Sequence, residues 1–180
     1  AKLIISLREP VSRAFSAYKL FQSYGQYKDL TFKQAFEKKG NLYKLGLYSE
    51  QLKNLFKLYD TGNILIFLFD DLINESDISI QKMYSFINVD NSYKPKSLKR
   101  KYNKILYPKL QSIIHELKLN SIFERFKASN PGQRIKMILS RIDDEKLQNR
   151  QKKLNEFKKY YKNDIHKLEK MINRDLSIWQ

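Results

Sequence analysis

Arg8 closes the short apolar run KLIISL, and Pro10, Arg13 and Ser16 follow it in the stretch SLREPVSRAFSAY. An arginine is a planar cationic fork that can grip a phosphate through two parallel N–H donors. At the carboxyl end of a parallel strand it stands where open α/β sheets bind their ligands. A helix starting near Pro10 would aim its N-terminal N–H groups, and the positive end of its dipole, at the same place. Pro10 suits that first turn, where the N–H it lacks is not needed. Ser16 falls about two turns into the helix and shares a face with Ser12 and Arg13. Its hydroxyl can donate to a bound anion. The spacing therefore describes a phosphate site. A strand-end arginine also serves as a solvent-facing ion-pair partner, and a helix serine as plain surface. The spacing alone leaves those readings standing.

The elements that must hold these residues are legible from periodicity. Lys2–Leu7 and Asn63–Phe69 (NILIFLF) are short, nearly continuous apolar runs, the pattern of strands covered on both faces in a parallel sheet. Thr61-Gly62-Asn63 is a turn signal ahead of the second run. Two helical stretches lie between the runs. The first carries Val11, Ala14, Phe15, Tyr18 and Phe21 on one side. The second, from about Gly46 to Tyr59, carries Leu47, Leu52, Leu55, Phe56 and Tyr59. Strand, helices, strand is a crossover unit of an α/β sheet. Ser76–Val89 reads as a further helix through Ile80, Met83, Tyr84 and Ile87. Ser92–Pro108 reads as a basic loop, Lys109–Phe126 as a helix, Ala128–Ile135 as a turn, and the last forty residues as helical and charged. No strand is expected after Asp71, so the C-terminal half is mostly helical. Two strands are few for a stable sheet. With the chain opening on Ala1 directly into a strand, the expectation is a single incomplete domain over residues 1–180, lacking an N-terminal part.

Composition narrows the classes. The 180-residue chain has no cysteine, which excludes disulfides and thiolate metal sites and fits a reducing, cytoplasmic setting. No apolar run approaches the roughly 20 residues of a membrane helix. The net charge of +16, from 35 basic and 19 acidic residues, admits a polyanion or nucleic-acid partner. The positives are spread along the chain rather than gathered on one face, and lysine-rich, AT-rich coding would produce the same surface. A basic polyanion-binding module remains the alternative function. Asp70 and Asp71 after the second strand read as caps of the following segment rather than as metal ligands. His115 and His166 read as core or surface histidines, and the many Tyr and Phe side chains as core. Trp179 reads as the anchor of the C-terminus.

The opening stretch resembles the 3′-phosphate-binding motif of sulfotransferases that use 3′-phosphoadenosine 5′-phosphosulfate. That motif is a strand, then Arg-x-Pro-x-x-Arg-x-x-Ser, then an aromatic, and Arg8, Pro10, Arg13, Ser16 and Tyr18 meet it. GLYSEQLKNLF (Gly46–Phe56) is similar to the family's Gly-x-Tyr-x-x-x-Leu helix, and ILIFLFDDL (Ile64–Leu72) to its next core strand. Leu154–Trp179 resembles its C-terminal end. These further stretches are typical of the bacterial and heparan-type branches.

The resemblance implies a P-loop-NTPase-like α/β fold, a parallel sheet flanked by helices. It implies transfer of a sulfuryl group from 3′-phosphoadenosine 5′-phosphosulfate to a hydroxyl or amine acceptor, with a saccharide among the candidates. No metal and no nucleic acid are expected. It assigns the 3′-phosphate contacts to Arg8 and Ser16. Arg13 matches the pattern with its role open. The family's basic nucleotide-closing loop has its nearest counterpart in SLKRKYNK, which makes Lys99, Arg100 and Lys101 candidates for the bisphosphate. The family's glycine-rich 5′-phosphosulfate loop has no counterpart among the five glycines here. The family's catalytic base, a Glu or His, also lies upstream of the motif. No catalytic residue is assigned, and the chain is expected to be inactive alone. A P-loop kinase is a further alternative that the Arg-x-Pro-x-x-Arg-x-x-Ser spacing disfavours.

Overall fold

A computed structural model describes residues 1–38, 40–95 and 154–180. The expected helix Lys109–Phe126, the turn Ala128–Ile135, His115 and most of the Ser92–Pro108 loop lie outside the described residues. The described residues fall into two compact units. One holds residues 1–13, 47–95 and 161–180, and the other residues 14–46 and 154–160.

The first unit contains the sheet. Strands β1 (Leu3–Leu7) and β2 (Ile64–Leu68) pair in parallel, with Leu3 opposite Ile64 and Leu7 opposite Leu68. The crossover, the parallel pairing and both apolar runs agree with the sequence reading, and the fold is α/β with a small parallel sheet and mostly helical content. Cover over β1 differs from the expectation of two buried faces. Leu7 is buried, Leu3 and Ile5 are half-buried, and Ile4 and Ser6 are exposed. Leu3, Ile5 and Leu7 lie on one face of the pleat and Ile4 and Ser6 on the other, so among the described residues only the first face is covered. β2 is better covered, with Phe67 and Leu68 buried.

Helix α1 (Pro10–Ser23) starts at Pro10, as expected, and its first turn belongs to this unit. α4 (Tyr48–Leu58) follows Gly46-Leu47 and packs on α7 (Lys162–Ile172). β2 passes without a loop into α5 (Phe69–Asn74), and α6 (Ser76–Ile87) follows. α6 stops where Asn88 turns left-handed at φ 60°, and the N–H groups of Asn88 and Val89 close on the carbonyls of Ser85 and Tyr84. A 3-10 turn over Ser177–Trp179 ends the chain. Trp179 is 1% exposed, as its reading as an anchor requires.

The second unit holds the rest of α1 together with two short helices that periodicity did not reveal, α2 (Phe32–Glu37) and α3 (Asn41–Lys44). Elements of six and four residues are too short to display a 3.6-residue stripe. The available signal was the capping box. Thr31 takes the Gln34 N–H at 3.3 Å, and Gln34 takes the Thr31 N–H at 2.9 Å. The core here is aromatic. Tyr18, Ala35 and Leu42 are buried, with Phe15, Phe21, Tyr27 and Phe32 against them. Phe157 meets Phe32 and Phe36 edge-on, each at 5.0 Å between ring centres. Among the described residues no helix is long and apolar enough to cross a membrane.

Candidate functional site

The parallel register decides what stands beside Arg8. Leu7 is opposite Leu68, so the next residue on each chain, Arg8 and Phe69, leave the sheet side by side. The Arg8 guanidinium lies over the Phe69 ring, 4.8 Å from its centre. The negative face of the ring attracts the cation there. Arg8 is half-buried and makes no ion pair among the described residues.

The backbone at Arg8 is held separately. The Tyr48 hydroxyl donates to the Arg8 carbonyl at 2.8 Å. Tyr48 is buried as the first residue of α4, and its ring lies 6.4 Å from that of Trp179. Burial pushes the Tyr48 phenol up to about 12, against the opposing pull of the Arg13 charge. The phenol is therefore a fixed donor at any physiological pH.

α4 has no cap of its own, because Leu47 stands at its N-cap position. The cap comes from α7. The buried Asp164 carboxylate accepts the Tyr48 N–H at 2.7 Å, the Ser49 N–H at 3.2 Å and the Ser49 hydroxyl. A carboxylate at a helix N-terminus is favoured by the dipole as well as by these bonds.

The start of α1 departs from the sequence reading. Its N–H groups were expected to face a bound anion. The Glu9 carboxylate already takes two of them, accepting from Val11 at 2.8 Å and from Ser12 at 2.6 Å. The acidic side chain just ahead of Pro10 folds back on the first turn because that is the nearest set of unsatisfied donors. Affinity for an anion at this turn must therefore come from side chains.

The remaining candidates separate. Arg13 is half-buried in the first turn of α1, and its charge acts on the Tyr48 phenol. Ser16 is exposed on α1, in the stretch belonging to the second unit. Lys99, Arg100 and Lys101 lie outside the described residues. Asp70 and Asp71 do not cap the segment after β2 as expected: they fall inside the first turn of α5, whose N-cap position is Leu68 with no side-chain cap bond. They act through the dipole, and Asp71 also accepts from Arg174 at 3.0 Å. Among the described residues no three His, Cys, Asp or Glu side chains gather as a metal site would need. His166 is exposed, with its Nδ1 3.6 Å from Glu169.

Sequence reading assigned no role to Tyr48, Phe69 or Asp164. A faint signal existed for Asp164. It falls on the stripe Tyr161, Ile165, Leu168, so a carboxylate shares the buried face of a helix and needs donors there. Tyr48 sat in the quoted Gly-x-Tyr pattern without a partner, and only the packing supplies one.

Comparison with known proteins bears on the family and the fold. The model of the sulfotransferase domain family matches residues 1–177. The crystal structure of a sulfotransferase from Alicyclobacillus acidocaldarius is similar with a TM-score of 0.63 at 20% sequence identity. The likeness covers 99% of this chain and 57% of that one, so the chain spans little more than half the length of that sulfotransferase. No curated protein matches the chain.

Proposed function

The chain belongs to the sulfotransferase domain family, and from that premise we propose that it serves sulfuryl transfer from 3′-phosphoadenosine 5′-phosphosulfate to a hydroxyl or amine acceptor. Its described part would contribute the hold on the donor's 3′-phosphate. One observation carries the reading. Arg8 follows the carboxyl end of β1 with its carbonyl tied to Tyr48 and its guanidinium over the Phe69 ring, which supports its N–H donors being offered to a ligand at that edge. A phosphate accepts two such donors at once. Ser16, later on the same helix, is assigned the second phosphate contact on the motif spacing. Lys99, Arg100 and Lys101 are assigned a closing role over the bisphosphate on the sequence alone.

The transfer is an in-line displacement at sulfur. It needs a base on the acceptor and cations at the departing phosphate. Arg8 supports the binding of the donor rather than either of these, and no base is assigned within this chain. The chain on its own is expected to bind the nucleotide without turning it over. A saccharide acceptor agrees with the net charge of +16, and a cytoplasmic setting with the absence of cysteine.

Calorimetric titration tests the reading. Adenosine 3′,5′-bisphosphate should bind more tightly than adenosine 5′-phosphate, which lacks the 3′-phosphate. Arg8→Ala should remove that preference, a loss of roughly 2–3 kcal/mol for a charge-assisted bond. Equal binding of both nucleotides, or of neither, would remove the main support and leave salt-dependent polyanion binding as the reading to test.

A further inference from the structure

We propose that Tyr48 is the positioning residue for Arg8, and that Asp164 extends this hold to α7, so that residues distant in the chain set the arginine's approach to a nucleotide 3′-phosphate. The inference rests on the donor reading above and adds to it the parts that aim the site.

The sheet ladder ends at Leu7, and the Arg13 N–H closes on the Glu9 carbonyl as α1 begins. The Arg8 peptide lies in the gap between these two hydrogen-bonded systems. Its carbonyl receives the Tyr48 hydroxyl at 2.8 Å. A long side chain magnifies any rotation of the backbone that carries it, and bidentate recognition of a phosphate tolerates little misplacement. Phe69 supports the guanidinium end but cannot fix the peptide at the other end.

Tyr48 is itself over-determined. Its N–H goes to Asp164 at 2.7 Å, and the neighbouring Ser49 gives both its N–H and its hydroxyl to the same carboxylate. Trp179 lies against the ring. A phenylalanine would fill the same volume, so packing accounts for the ring and not for the hydroxyl. Burying a phenol is unfavourable without a partner, and the partner here is the carbonyl of the arginine that the motif singles out. The chain thus runs from α7 through Asp164 to the first turn of α4, and from Tyr48 to Arg8.

The test compares the full chain with Tyr48→Phe and Asp164→Asn. Three quantities are measured: the NMR order of the Arg8 Nε–H without nucleotide, the affinities for adenosine 3′,5′-bisphosphate and adenosine 5′-phosphate, and the melting temperature. Tyr48→Phe is expected to loosen the Arg8 side chain and to weaken bisphosphate binding about tenfold, leaving adenosine 5′-phosphate within about twofold. Asp164→Asn keeps one acceptor oxygen and should produce a smaller fall in the same two readouts. It also carries the test if Tyr48→Phe does not fold. An Arg8 side chain as ordered as before, with bisphosphate affinity unchanged, would make Tyr48 a core filler and overturn the proposal whatever the melting temperature does. If the unaltered chain shows no preference for the bisphosphate, the donor reading fails. The order of Arg8 then decides the positioning claim alone, supported by a loss in the variants and overturned by its retention.

Discussion

The turn around Arg8 is tied to residues far along the chain by polar contacts, whereas the unit containing the second half of α1 meets its distant segment, residues 154–160, through aromatic rings. In the first, Asp164 accepts from α4, the Tyr48 hydroxyl donates to the Arg8 carbonyl, and Glu9 accepts from the first turn of α1. In the second, Phe32, Phe36, Phe157 and Tyr160 meet at centre distances of 5.0 to 6.4 Å. Ring packing stabilises strongly, yet neighbouring arrangements have similar energy. Hydrogen bonds contribute less net stability and fix direction more sharply. The contrast teaches that long-range polar contacts stand where the arginine's backbone is held and long-range ring contacts where the second unit closes, while Tyr18, Gln22 and Leu30 add local hydrogen bonds to that unit.

The sharpest way to break this contrast is Phe36→Ala. Phe36 is 1% exposed, and its removal should cost about 4 kcal/mol in denaturant unfolding, chiefly through the cavity left behind. The preference of the folded protein for the bisphosphate over the 5′-phosphate should survive. Loss of that preference in step with stability would mean that the aromatic packing also aims the arginine.

A middle-sized effect belongs to alkaline pH. The Tyr48 phenol titrates near 10 in an unfolded chain and at about 12 in the fold. A raised value means that the neutral form is stabilised by folding. That contribution is complete below pH 10 and is lost as pH rises to about 12, and it amounts to the order of 2–3 kcal/mol. Stability measured against pH should therefore fall more steeply for the unaltered chain than for Tyr48→Phe across that window. Parallel curves would remove the buried, hydrogen-bonded phenol from the account of the first unit.

The smallest effect sharpens what counts as directional. The Arg174–Asp71 pair is 3.0 Å apart, but its side chains are 49% and 30% exposed. Arg174→Ala should cost about 0.5 kcal/mol, and the difference should shrink at high salt. A cost several times larger would show that exposed pairs share the load assigned here to Asp164 and Tyr48.

Much of this molecule was open to reading before any coordinates. β1, α1 from Pro10, α4, β2 and α6 follow from period and punctuation, which are properties of neighbouring residues. The phosphate reading of Arg8 and Ser16 rests on the order of residues along one strand and one helix and stays a proposal for the nucleotide titration to test. α2 and α3 escaped because four to six residues carry no period. The anion-facing start of α1 was misjudged because Glu9 had not been weighed as a competitor for its own helix's donors.

The rest was set by packing. Tyr48 and Arg8 are 40 positions apart, and Asp164 is 116 from the N–H it caps. No local pattern encodes such a pair, because each residue's choice of partner depends on α4 lying on α7 and on the register of two strands. Residue types along the chain specified that an arginine could grip a phosphate. Where that arginine points is decided by a hydroxyl, a carboxylate and a ring that only the folded chain brings to it.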